Sequence, residues 1–152
     1  MRRGCFELDY GDTTTVSGNT ITQFKNGAIG IDIQQVAGPA TVSNNIITGN
    51  LFSTGIYSTT STDLTITGNN IVVPIAGNGI KLFNDSLSIV ENNHLAGGHG
   101  ISIDDSTQGS GNTVKSNTIK DAGCGIDIIY LNGTVTTPDT VFTTEDSTCT
   151  VI

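Results

Sequence analysis

The 152-residue chain carries 6 basic against 14 acidic side chains, a formal net charge of −8, with 36% hydrophobic residues and only 13% charged ones. That balance excludes a disordered segment, which needs low hydrophobicity and dense charge, and a phosphate-neutralising surface, which needs clustered Lys and Arg. The longest apolar stretch, around Ile71 to Ala76, is too short to span a bilayer, so neither nucleic acid nor membrane is expected as a partner.

Helix signals are nearly absent, whereas short apolar–polar alternations bounded by Gly, Asn and Ser predict strands and tight turns. From the N-terminus, Phe6-Glu7-Leu8 is followed by Val16-Ser-Gly-Asn19-Thr-Ile21 and then Gly30-Ile31-Asp32-Ile33. The asparagine pattern returns at Val42–Asn45–Ile47, Ile66–Asn69–Ile71, Val90–Asn93–Leu95 and Val114–Asn117–Ile119, at spacings of 26, 24, 24 and 24. The Gly-Ile pattern returns at Gly79-Ile80-Lys81-Leu82, Gly100-Ile101-Ser102-Ile103 and Gly125-Ile126-Asp127-Ile128. Gly55-Ile56-Tyr57-Ser58 is a weaker copy, with Ser in its last apolar slot. The first apolar positions 6, 31, 56, 80, 101, 126 and 151 differ by 25, 25, 24, 21, 25 and 25.

Two interleaved motifs on one period indicate a solenoid, because a unit of about 24 residues cannot bury its apolar side alone. The expected architecture is all-β: about six coils, three parallel sheets, and inward columns headed by Ile31, Val16 and Ile21. Residues 1–133 form the coils, and 134–152 are expected to form an irregular last coil or a C-terminal cap. Asn19, Asn45, Asn69, Asn93 and Asn117 are expected at one turn. There Asn tolerates the left-handed backbone, and its amides can bond along the stack. The shortest loop should lie between Leu95 and Gly100.

The combination resembles the right-handed parallel β-helix of the pectin-lyase-like superfamily, most clearly over residues 4–133. The resemblance implies a carbohydrate groove along the sheet of Gly-Ile-x-Ile strands. The outward columns there are Glu7, Asp32, Tyr57, Lys81, Ser102, Asp127 and Asp9, Gln34, Thr59, Phe83, Asp104, Ile129. Asp32, Tyr57, Lys81, Phe83, Ser102, Asp104 and Asp127 are the candidate sugar-binding residues.

Gly98-His99-Gly100-Ile101-Ser102-Ile103 resembles the Gly-His-Gly-x-Ser-Ile string of polygalacturonases, in which the His assists three aspartates. The preceding rung reads Gly77-Asn78-Gly79-Ile80 where that family carries paired aspartates. The constellation for hydrolysis is therefore incomplete. If the chain is catalytic, it is a polysaccharide lyase or a glycoside hydrolase. The candidate catalytic residues are His99, Lys81, Asp104 and Asp127. No cofactor is expected; Ca²⁺ is the one ion the pattern could take, at Asp104 and Asp105.

The expected function is thus a polysaccharide-binding or polysaccharide-processing module of an extracellular, cell-surface or phage-type protein. No signal peptide is visible behind Met1-Arg2-Arg3. The alternative is a structural solenoid for a fibre, tailspike shaft or filament, and self-association through open solenoid ends is expected. Cys124 and Cys149 lie one coil apart and are expected to stack within disulfide range, leaving Cys5 over. Asn84-Asp85-Ser86 and Asn132-Gly-Thr134 match the glycosylation sequon.

Overall fold

The computed structural model describes residues 4–11, 13–22, 26–51, 53–74, 76–105, 109–130, 134–135 and 140–143. β1 (Gly4–Asp9), β2 (Thr14–Ser17) and β3 (Thr20–Thr22) make the first coil, and β4 (Ile29–Gln34), β5 (Ala40–Ser43) and β6 (Ile46–Thr48) the second. The third holds β7 (Thr54–Thr59), β8 (Leu64–Thr67) and β9 (Asn70–Val72); the fourth holds β10 (Asn78–Phe83), β11 (Ile89–Glu91) and β12 (His94–Ala96). β13 (His99–Asp104), β14 (Thr113–Lys115) and β15 (Thr118–Ala122) make the fifth. The sixth contains β16 (Cys124–Tyr130), β17 (Thr134–Val135) and β18 (Thr140–Thr143).

Every third strand joins the same sheet, giving three six-stranded parallel sheets, and the described residues contain no helix. The register follows the sequence grid: Phe6, Ile31, Ile56, Ile80, Ile101 and Ile126 are successive partners in the first sheet. Val16, Val42, Ile66, Val90 and Val114 align in the second, and Ile21, Ile47, Ile71, Leu95 and Ile119 in the third. All fifteen inward residues from Ile31, Val16 and Ile21 onward are buried. Each contributes roughly 1.5–3 kcal/mol of transfer free energy, which chain entropy opposes. β-branched side chains suit these columns because the pleated surface accepts their fixed χ1.

Within 134–152, the described strands β17 and β18 pair with the coil before, with a register shift between Lys120 and Ala122. Val135 is in register with Val114, and Val141 with Ile119. Residues 144–152, Cys149 among them, lie outside the described residues.

The asparagine column forms as expected, but the left-handed backbone falls one residue earlier. Gly18, Asn44, Gly68, Asn92 and Ser116 have φ of 67°, 54°, 65°, 54° and 56°, and no column asparagine has positive φ. The column residues instead turn their amides inward. The N–H and Nδ2 of each of Asn19, Asn45, Asn69 and Asn93 donate to Oδ1 of the next at 2.9–3.0 Å. Each Nδ2 from Asn45 onward also reaches a carbonyl on the preceding coil, as Asn69 does to Val42 at 2.9 Å. A ladder with both ends of the amide used needs a side chain that is donor and acceptor at once, which is why Asn recurs.

The glycine of Gly-Ile-x-Ile is required by close approach. A Cβ on Gly100 would stand 2.5 Å from the carbonyl oxygen of Gly125 and 2.6 Å from Ile119 Cγ2. The loop expected to be the shortest, between Leu95 and Gly100, is short but not the shortest. Gly97 and Gly98 join β12 to β13, whereas Gly123 alone joins β15 to β16, because β15 runs on to Ala122. Leu95 to Ile101 takes six positions, against nine from Ile71 to Ile80. The Leu95–Gly100 loop turns on Gly97 and Gly98, with φ of 73° and 56°.

Candidate functional site

The six first-sheet strands present their outward side chains in two columns. Strand pairing places Glu7, Asp32, Tyr57, Lys81, Ser102 and Asp127 in the first. The second runs Asp9, Gln34, Thr59, Phe83 and Asp104; the backbone register shifts between Ile103 and Asp104, so the strand partner of Asp104 is Tyr130. Ile129, expected beside Asp104, is displaced from that column by the shift.

Two expected sugar contacts are not on open surface. Asp32 is 0% exposed and accepts a hydrogen bond from Gln34 Nε2 at 3.0 Å, and Ser102 is 3% exposed. A short side chain sinks between its neighbours on adjacent strands. Alternation fixes its side of the sheet without fixing its access to solvent.

The remaining residues gather in the middle of the face. Tyr57 lies beside Lys81 on the neighbouring strand, Phe83 is two residues along from Lys81, and Asp104 is the partner of Phe83. All four are partly exposed. At strand spacing of about 4.8 Å and about 3.3 Å per residue, the Cα atoms of Tyr57 and Phe83 sit on a diagonal of roughly 8 Å. The Lys81 ammonium makes no ion pair among the described residues. This is a flat patch with two aromatic faces, a cation and a carboxylate.

His99 stands at the start of β13, and its Nδ1 lies 3.8 Å from Asp127 Oδ2 on β16. The structure thus brings two of the candidate catalytic residues together, although they are 28 positions apart in sequence. Lys81 is two strands from Asp127 in the same column.

Asp104 and Asp105, the expected Ca²⁺ pair, diverge. Asp104 belongs to the outer face, whereas Asp105 is 6% exposed and accepts from Asn112 Nδ2 at 3.1 and 3.0 Å. Asp104 ends β13 and Asp105 begins the segment after it, so one carboxyl stays at the outer face while the other turns into the buried corner. Among the described residues no group of three or more His, Cys, Asp or Glu is placed to hold a metal.

Beneath this face lies a polar corner that the motif reading did not assemble. Ser58, Ser61, Asp85, Asp105 and Asn112 are buried where the chain turns from the first sheet to the second. Ser61 N–H donates to Asp85 Oδ1 at 2.7 Å. Burial pushes the Asp85 carboxyl up to about 7; the bond from Ser61 N–H and the nearby Ser58 hydroxyl act against the rise, and Asp105 adds to it. The signal in the sequence was Ser58, the hydroxyl in an apolar slot. Asn84, read there as a sequon, is itself 8% exposed at this corner.

Cys124 is disulfide-bonded. The expected partner, Cys149, lies outside the described residues, and Cys5 sits on β1 at the opposite end of the sheet from β16. No helix among the described residues is long and apolar enough to cross a membrane.

Compared with curated proteins and with solved structures, the chain finds no match. The family model described as the right-handed β-helix region matches residues 4–149, and the stacked parallel coils agree with it: the chain belongs to the right-handed β-helix family.

Proposed function

We propose that the first-sheet face binds polysaccharide, as a module of an extracellular or cell-surface protein. The observation that carries the reading is the adjacency of Tyr57, Lys81, Phe83 and Asp104 on one flat, partly exposed patch. Pyranose rings present apolar faces that stack on aromatic side chains, and their hydroxyls or carboxylates suit an ammonium and a carboxylate at the rim. The outward columns run along the coil axis, which fits an extended chain better than a compact ligand. The Cys124 disulfide supports an oxidising compartment.

Asp104 and Asp127 occupy adjacent strands on a diagonal, a separation of about 7–8 Å between Cα atoms. Inverting hydrolysis needs two carboxyls roughly 6.5–9.5 Å apart with a water between them, and side chains rising from these two positions are the candidate pair for that role. His99 beside Asp127 would hold that carboxyl in place, so turnover is a second readout. The test is a glycan array of neutral and acidic polysaccharides, followed by hydrolase and lyase assays on whatever is retained. Retention that is lost in Tyr57→Ala and Lys81→Ala supports the reading. Retention of no glycan, or retention unchanged in both variants, overturns it.

A second reading, a structural solenoid that associates end to end, is favoured by the first coil. Phe6 and Tyr10 are 40% and 74% exposed beside the outer edge of β1. Concentration-dependent growth in light scattering, reduced by Phe6→Ser, would support it.

A further inference from the structure

The apolar column Ile33, Ser58, Leu82, Ile103 contains one hydroxyl, and that hydroxyl is fully buried. Asp85, on the turn after β10, is also fully buried. Its Oδ1 accepts from Ser61 N–H, while Oδ2 has no hydrogen-bond partner, and neither does Ser58 Oγ. Two orphaned polar atoms in one closed corner are costly, about 1–3 kcal/mol each, unless something joins them. The Ser58 hydroxyl faces this carboxyl and acts on it.

The charges around the corner are of one sign. Asp105, on the segment after β13, is the one charged group that acts on Asp85. Its carboxylate already takes the Asn112 amide, which also donates to the Asp85 carbonyl at 2.7 Å. Asp63 on the turn before β8 and Asp104 at the end of β13 carry the other nearby carboxyls, and neither acts on Asp85. β7 brings Ser58, the following turn brings Ser61, and the segment before β11 brings Ser88; none of these can supply a positive charge.

We infer that the corner is a proton-held latch: Asp85 folds protonated, its Oδ2–H donating to Ser58 Oγ, and the turn loosens when that proton leaves to solvent. In the protonated form both orphaned atoms are satisfied and Asp85 adds no charge to the corner. In the ionised form the Asp85 carboxylate faces a closed interior with the Asp105 side chain about one strand spacing away, roughly 5 Å, and no cation among the described residues is placed to offset it. The elevated titration point of Asp85, about 7, puts the change near neutrality.

The sign follows from linkage. The folded chain holds a proton that the unfolded chain has released between the ordinary value of 3.8 and about 7, so stability falls as pH rises through that window and levels above it. Denaturant unfolding of the wild type and of Asp85→Asn, from about pH 4 to about pH 9, isolates this group from the other carboxylates. The folding constant of the wild type should fall relative to the variant by close to tenfold per pH unit across the window. Parallel profiles for the two proteins overturn the inference. Should Asp85→Asn not fold, ¹³C NMR of aspartate-labelled wild type decides: one carboxyl titrating near neutral pH supports the latch, and all carboxyls titrating in the ordinary range overturn it.

Discussion

Oδ1 of Asn69 accepts both the backbone N–H and the side-chain Nδ2–H of Asn45, at 3.0 and 2.9 Å, while its own Nδ2 donates onward to Asn93 Oδ1 and back to the Val42 carbonyl. One buried side chain therefore holds together three coils. Replacing it with Ala strands two donors of Asn45, the Val42 carbonyl and one lone pair of Asn93. At about 1–3 kcal/mol for each buried group left unsatisfied, with some relaxation, Asn69→Ala should cost about 3–5 kcal/mol. Asn19→Ala, at the partly exposed end of the ladder, should cost about 1 kcal/mol. Equal losses in urea unfolding would show that the ladder does not act through burial.

Two glycines separate the two reasons for needing glycine. Gly100 has no positive φ, but a Cβ there meets the Gly125 carbonyl and the Ile119 side chain. Gly18 has φ of 67° and nothing within 4 Å. Gly100→Ala should cost more than about 3 kcal/mol, as overpacking with backbone displacement does. Gly18→Ala should cost about 1 kcal/mol, the strain of a left-handed residue alone. Thermal unfolding of both variants checks the order.

On the outer face, Lys81→Ala should leave stability within about 0.5 kcal/mol, since the ammonium has no ion-pair partner among the described residues. If the bound glycan carries carboxylates, the contribution of Lys81 should shrink as salt rises, because an exposed charge pair is screened within about 10 Å at 0.1 M. Tyr57→Ala should weaken binding by a salt-independent factor, since stacking carries no net charge. Titration calorimetry at two ionic strengths distinguishes the two side chains.

With Cys124 in a disulfide and three cysteines in the chain, denatured, non-reduced protein should show one free thiol. Three would exclude the bond. Reduction should lower stability by about 2–4 kcal/mol, the usual effect of opening a closed loop of this order in the unfolded chain.

Much of this fold was legible in one dimension. A solenoid places residue n beside residue n+24, so the apolar columns, the three sheets and the asparagine ladder follow from a period that can be counted. Each coil repeats the same local chemistry, and the parallel register needs no distant information. Tertiary structure decided three other things. It moved the left-handed residue from the asparagine to the position before it, because the amide is more valuable pointing inward along the stack than easing its own backbone. It buried Asp32 and Ser102 on a face that alternation alone would make open, because access to solvent depends on the size of the neighbours across the strands. It also set Ser58, Asp85 and Asp105 in one buried corner, although no single motif joins them, because burial and the sign of nearby charge arise only when coils close on one another. His99 and Asp127 met for the same reason: their distance is measured across a rung, and the sequence counts along the coil.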